Sequence, residues 1–150
     1  MAHVKDSGIA ENFFRRDGRL NRLRYFKRSM LLAFVSFIIL FFIIVMDVNA
    51  LGQLSSFGNG LIKFFSAAVQ VPFFCITVRR LHDMNKDEKL AYICVAISLS
   101  TIIFQGNDFL VTEPSQLENA LAFVNGIIAL YILFWPGTKG DNQYGADPLE

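Results

Sequence analysis

Four long apolar runs, separated by short segments that hold nearly all of the charge, constrain this chain more than any other feature. They are residues 30–46 (MLLAFVSFIILFFIIVM), 61–78 (LIKFFSAAVQVPFFCITV), 90–104 (LAYICVAISLSTIIF) and 120–135 (ALAFVNGIIALYILFW). The hydrocarbon core of a bilayer, about 30 Å thick, takes about 20 helical residues, with a range of about 17–25. The third run falls short of that by itself. Extension through Gln105 and Gly106, or local thinning of the bilayer, closes most of the gap. Lys63 alone interrupts the uncharged pattern, at a helix end where its ammonium can snorkel to the interface.

A helix of a small soluble bundle shows an apolar stripe and a polar opposite face. Residues 30–46 have Ser36 as their single polar side chain, so no such face exists. Charged residues make up 18% of the chain, below the usual ~25% of soluble domains. Sixteen Phe stand against four Tyr and one Trp, which again describes a greasy exterior. A cleaved secretory signal is the competing reading of the first run, with Val48 and Ala50 suited to a peptidase site. Its 17 apolar residues, however, exceed the ~7–15 of a signal's apolar region, and the charged segment before it is long.

Lys and Arg in the short loops set the orientation. The segment before the first run carries Lys5, Arg15, Arg16, Arg19, Arg22, Arg24, Lys27 and Arg28, whereas residues 47–60 carry none. Residues 79–89 carry Arg79, Arg80, Lys86 and Lys89; residues 105–119 carry none; and the C-terminal tail carries Lys139. This alternation predicts an all-α fold: one domain, a bundle of four transmembrane helices with both termini cytoplasmic. The expected spans are about 30–46, 61–78, 90–106 and 120–135, after a flexible leader over 1–12 and before a cytoplasmic tail over 136–150. Gly52, Gly58, Asn59 and Gly60 read as a flexible first outer loop, and Pro72 as a kink in the second span. Cys75 and Cys94 lie in apolar runs and read as reduced, packed thiols. The net charge of +1 gives no signal for nucleic acid.

Three motifs fall on the basic side. In GRLNRLRYF (residues 18–26), Gly18 permits a turn and Asn21 suits a helix N-cap, while Arg22 and Arg24, with Lys27 and Arg28 just after the motif, sit at headgroup level. In RRLHDMNK (79–86), Asp83 lies i+4 from Arg79 and i+3 from Arg80, so its carboxylate can engage either guanidinium. A hydrogen-bonded corner is the plain reading there; phosphate binding by Arg79 and Arg80 is the functional one. His82 beside Asp83 hints at metal hydrolysis, but His3 is the only other histidine. In PGTKGDNQYGADP (136–148), Pro136 stops the last helix and the tail is expected to fold back on the basic motifs through Asp141 or Asp147, with Asn142 beside them. A soluble partner site is the competing reading of this tail.

These three motifs, in this order and with apolar spans between them, resemble the domain of unknown function 805 family of small bacterial inner-membrane proteins. The resemblance covers about residues 13–148. The family pattern continues after RRLHD into a Ser-Gly-Trp-Trp-like stretch, whereas residues 87–92 here read DEKLAY, so the aromatic pair is largely absent. The resemblance implies a bacterial inner-membrane location and supplies no activity.

Inside the spans, Gln70 and Asn125 are the polar residues that need partners, and interhelical hydrogen bonds are expected of both. No cofactor, metal or catalytic group is expected. The leading expectation is a non-enzymatic membrane protein whose basic cytoplasmic face binds anionic lipid headgroups or a protein partner. The residues singled out for it are Arg22, Arg79, Arg80, His82, Asp83, Asp141 and Asn142. A small oligomeric transporter or channel using Gln70 and Asn125 is the alternative, and a membrane enzyme acting on lipid phosphates comes third.

Overall fold

A computed structural model describes residues 8–104 and 113–148. Its elements are α1 (Ile9–Phe13), α2 (Arg22–Leu51), α3 (Ser56–Ala68), α4 (Gln70–Asp83), α5 (Lys89–Phe104) and α6 (Gln116–Phe134). Among the described residues the single departure from helix and loop is an isolated antiparallel bridge between Asn142 and Gly145.

Local chemistry sets most boundaries. Asn21 caps α2 by accepting a hydrogen bond from the Arg24 N–H at 2.9 Å. Gly52, in the left-handed region at φ 73°, ends α2. The helix therefore overruns the expected 30–46 span at both ends, because capping chemistry rather than apolarity decides where it stops. Ser55 caps α3 by accepting from the Gly58 N–H at 3.0 Å, and Asp47 accepts from the Ser55 N–H and hydroxyl at 2.5 and 2.8 Å. This corrects the reading of residues 58–60 as loop: the helix starts upstream of the glycines. A Cβ on Gly58 would collide with the Asp47 carboxylate, so the glycine is there for close packing.

Between α3 and α4 the helix is interrupted at Val69 alone, and the two form a continuous apolar rod over Ser56–Asp83. The break lies just upstream of Pro72, whose ring crowds the carbonyl four residues earlier and removes one ladder donor. α6 opens with a capping box: Ser115 Oγ accepts from the Glu118 N–H, and Glu118 accepts from the Ser115 N–H at 2.7 Å. It begins four residues before the expected start. α5 ends its described course at Phe104; residues 105 and 106, counted in the expected span, lie outside the described residues.

Three helices are long and apolar enough to cross a membrane: α2, the α3–α4 rod and α6; α5, of 16 residues, is apolar but shorter. None of the apolar window of α2 is buried, and Phe34, Phe37, Phe41 and Phe42 are exposed along it. An apolar surface this continuous is foreign to a monomeric soluble domain. α2 packs on α3, α4 and α6, and α5 packs on α3, α4 and α6. The packed core is displaced to one end of the bundle: Leu20, Tyr25, Ile76, Val78, Leu81, Met84, Ala91 and Ile132. α4 is buried without interruption from Cys75 to Asp83, sheathed at that end by its neighbours and the tail.

The expected flexible leader over residues 1–12 is corrected only in its second part. Residues 9–13 form α1, which packs on α4. Arg79 donates to the Glu11 carbonyl at 3.1 Å and Arg28 to the Asn12 carbonyl at 3.0 Å, so two basic residues pin the segment. Residues 1–7 lie outside the described residues.

Candidate functional site

The start of α2, the ends of α4 and α6 and the start of α5 meet at one end of the bundle, and the three motifs converge there. Gly18, at φ 80°, turns the chain so that the Leu20 N–H donates to the Arg79 carbonyl at 3.0 Å. That docking drives Arg19 inward, where its side chain is 1% exposed. Its guanidinium donates to Asp83 at 3.3 Å, to the Gly140 carbonyl at 2.6 Å and to the Thr138 carbonyl at 2.5 Å. One side chain thus joins all three motifs.

Arg80, fully buried, pairs with the other carboxylate oxygen of Asp83 and donates to the carbonyls of Ile132, at 3.0 Å, and Trp135. The last carbonyls of a helix lack intrahelical partners and carry the negative end of its dipole, so a cation there stabilises twice over. The tail returns the favour to α4. The Thr138 N–H and hydroxyl donate to the Asp83 carbonyl at 2.8 and 3.0 Å, and the Asn142 amide donates to the His82 carbonyl at 2.9 Å. The His82 ring stacks on Tyr144 with centroids 3.9 Å apart and planes 5° apart, and its Nδ1 lies 3.3 Å from the Gly18 carbonyl. Gly137 is the position where the tail passes Asp83; a Cβ there would run into the carboxylate. Arg19, Arg79, Arg80, Asp83 and Asp147 are all buried, so two carboxylates offset most of the cationic charge inside the knot.

Several expected roles change. Of the two arginines open to Asp83, Arg80 pairs with it as the i+3 spacing allowed, but neither arginine presents a fork outward for phosphate. Burial at the centre of the bundle end is the reason. His82 and Asp83 diverge, one ring toward Gly18 and Tyr144 and the other carboxylate toward two arginines. Among the described residues no group of three His, Cys, Asp or Glu is placed to hold a metal. Asp141 does not reach the basic motifs: it is exposed and accepts from the Asp147 N–H at 3.2 Å. Asp147 accepts from the Gly140 N–H at 2.8 Å, so the acids shape the tail while Arg19 and Asn142 fasten it. Arg22 is exposed at the rim, 3.5 Å from the Phe134 carbonyl. Nearby, Arg16 pairs with Glu88 at 2.6 Å, and that carboxylate raises the Arg16 pKa above its ordinary value.

Arg19 was the residue that sequence reasoning missed. It is one of eight basic residues before the first apolar run, and its only distinguishing mark is the preceding glycine.

Of the two mid-helix amides, Asn125 makes the expected interhelical bond, donating to Ser98 Oγ at 3.1 Å. Gln70 does not; it donates to the Ser66 carbonyl of its own chain segment, four residues back, at 3.3 Å. The broken ladder around Val69 and Pro72 leaves carbonyls there for a side chain to serve. Cys75 is buried, Cys94 half-buried, and both are free thiols.

No curated protein and no solved structure matches the chain. The family model described as "Protein of unknown function (DUF805)" matches residues 13–146, which takes in every residue of the knot except Asp147. A match over nearly the whole length, ending within the tail that locks the bundle, places this chain in the DUF805 family.

Proposed function

We propose that this chain is a non-enzymatic protein of the bacterial inner membrane that crosses it four times, with both termini cytoplasmic. In this reading its inner face binds anionic phospholipid headgroups. The crossing number rests on α5. Its first turn packs into the same core as the ends of α4 and α6, and its Ser98 meets the middle of α6. At about 1.5 Å per residue its 16 residues cover about 24 Å, enough for a locally thinned bilayer.

The observation that carries the lipid reading is the sorting of cations around the knot. Arg19, Arg79 and Arg80 are spent on internal contacts, while Arg22, Arg24, Lys27, Lys86 and Lys139 are exposed around the same end. The loop at the opposite end of α2, residues 47–60, has no Lys or Arg. Each basic residue near an anionic surface contributes about 1 kcal/mol. The knot then acts as the plate that holds these side chains at one depth. The divergence of His82 and Asp83 favours a structural over a hydrolytic role for that pair.

The test is lipid retention. Full-length protein from nanodiscs of mixed phosphatidylglycerol and phosphatidylcholine is extracted into detergent, and retained lipid is quantified by mass spectrometry. The combined change Arg22→Ala, Arg24→Ala, Lys27→Ala and Lys86→Ala should lower phosphatidylglycerol enrichment at least about tenfold. Unchanged enrichment refutes the reading.

A further inference from the structure

A partly open cavity of about 390 Å³ lies between α2, α4, α5 and α6, running from the packed bundle end at Tyr25, Ala91 and Ile132 to Gln70, Ser98 and Asn125 nearer mid-helix. A second, of about 710 Å³, runs beside it between α2, α3, α4 and α5, and the two share Gln70 and Ser98 as a common wall. Both volumes fall in the range of about 300–1,000 Å³ typical of small-molecule sites. The lining of the smaller cavity is mostly apolar and includes no charged side chain, but Gln70, Ser98, Asn125, Thr77 and Ser29 all reach it.

Two of these polar groups, the Gln70 and Asn125 amides, are not used up by the protein. Gln70 spends one amide N–H on Ser66, and Asn125 spends one on Ser98; no bond to either side-chain carbonyl oxygen is found among the described residues. Ser29 Oγ is buried beside the Tyr25 hydroxyl. In a water-free hydrocarbon layer, unmet donors and acceptors at that depth are costly. A ligand that both donates and accepts, carries no charge and arrives through the lipid would meet them.

We infer that this cavity is a binding site for a neutral, hydroxyl-bearing lipid, the chemistry of a diacylglycerol. The hydroxyl sits against Gln70, Ser98 and Asn125, and an acyl chain lies in the apolar remainder. An anionic headgroup is excluded from this depth, because nothing charged lines the cavity to neutralise it. The site is separate from the basic rim, so it stands or falls independently of phosphatidylglycerol binding there.

The experiment uses full-length protein in nanodiscs with two photoreactive probes that share one diazirine acyl chain, a diacylglycerol and a phosphatidylcholine. Labelled peptides are mapped by mass spectrometry. The diacylglycerol probe should label α4 around Gln70 and α6 around Asn125, with excess dioctanoylglycerol suppressing the signal. Loss of two membrane hydrogen bonds through Gln70→Leu with Asn125→Leu should cut that labelling about eightfold. The milder Ser98→Ala, which removes one hydroxyl and little volume, should cut it about threefold. Equal labelling by both probes, labelling that dioctanoylglycerol does not suppress, or labelling that Ser98→Ala leaves intact while the protein stays monodisperse would each overturn the inference.

Discussion

Replacing Arg19 by Ala should release the C-terminal tail while leaving the helices assembled. The side chain makes two short bonds to tail carbonyls, at 2.5 and 2.6 Å, and a longer one to Asp83. Hydrogen bonds from a charged group contribute about 1.5–3 kcal/mol each. Water at the bundle end recovers part of that once the tail lifts, so about 3–4 kcal/mol is the expected loss of docking energy. Asp83 keeps Arg80 as its ion-pair partner, which is why the bundle itself should survive. A loss of this size raises the open population of the tail by about two to three orders of magnitude. Tryptic cleavage after the exposed Lys139, followed by mass spectrometry of the released fragment, reads that population when reclosing outpaces cutting. Arg19→Lys should be nearly as damaging, since an ammonium cannot span Asp83, Thr138 and Gly140 at once. Arg22→Ala, at the rim, serves as the matched control. If Arg19→Ala protein is cut within about threefold of the wild-type rate, the knot does not hold the tail, and its description as the fastening of the three motifs is wrong.

Gly137→Ala places a Cβ against the Asp83 carboxylate and should cost about 1–3 kcal/mol, read as a lower thermal midpoint in detergent; an unchanged midpoint would mean the tail can shift without penalty. Single cysteines at Gln53 and Glu113, in a background lacking Cys75 and Cys94, should react with an impermeant maleimide from the periplasm only, and at Lys86 and Gln143 from the cytoplasm only. Labelling of either outer position from inside would break the four-span topology. Asn125→Leu alone should change stability by only about 0.6 kcal/mol in a chemical-denaturation series, whereas a loss of several kcal/mol would show that the Ser98 bond organises the α5–α6 seam.

The helices were readable because their cause is local and repetitive. Uncharged runs announce rods, and Asn21, Gly52 and Pro136 announce where rods begin or end. Gly58–60 misled because glycine marks turns when nothing packs on it, whereas here Asp47 occupies the space beside Gly58. The convergence of the three motifs was also visible, since each borders the same side of the alternating charge pattern. Which arginine turns inward was not. Arg15, Arg16, Arg19 and Arg22 follow one another at short spacing, and only the Gly18 turn and the Leu20 bond to Arg79 select Arg19. Such selection depends on partners about 60 and 120 residues away along the chain, which no local pattern encodes.

The knot also sets an order of events during synthesis. Arg19 emerges early, Asp83 and Arg80 about 60 residues later, and the carbonyls of Ile132, Trp135, Thr138 and Gly140 last of all. Until residues 132–140 leave the ribosome, Arg80 has only one of its three partners and Arg19 has none of its tail acceptors. A chain interrupted before position 132 therefore keeps two poorly satisfied guanidinium groups beside one carboxylate at the edge of an apolar layer. Addition of residues 132–140 converts that exposed polar wound into a closed seam, so the helix bundle is sealed from a stretch synthesised long after its first arginine.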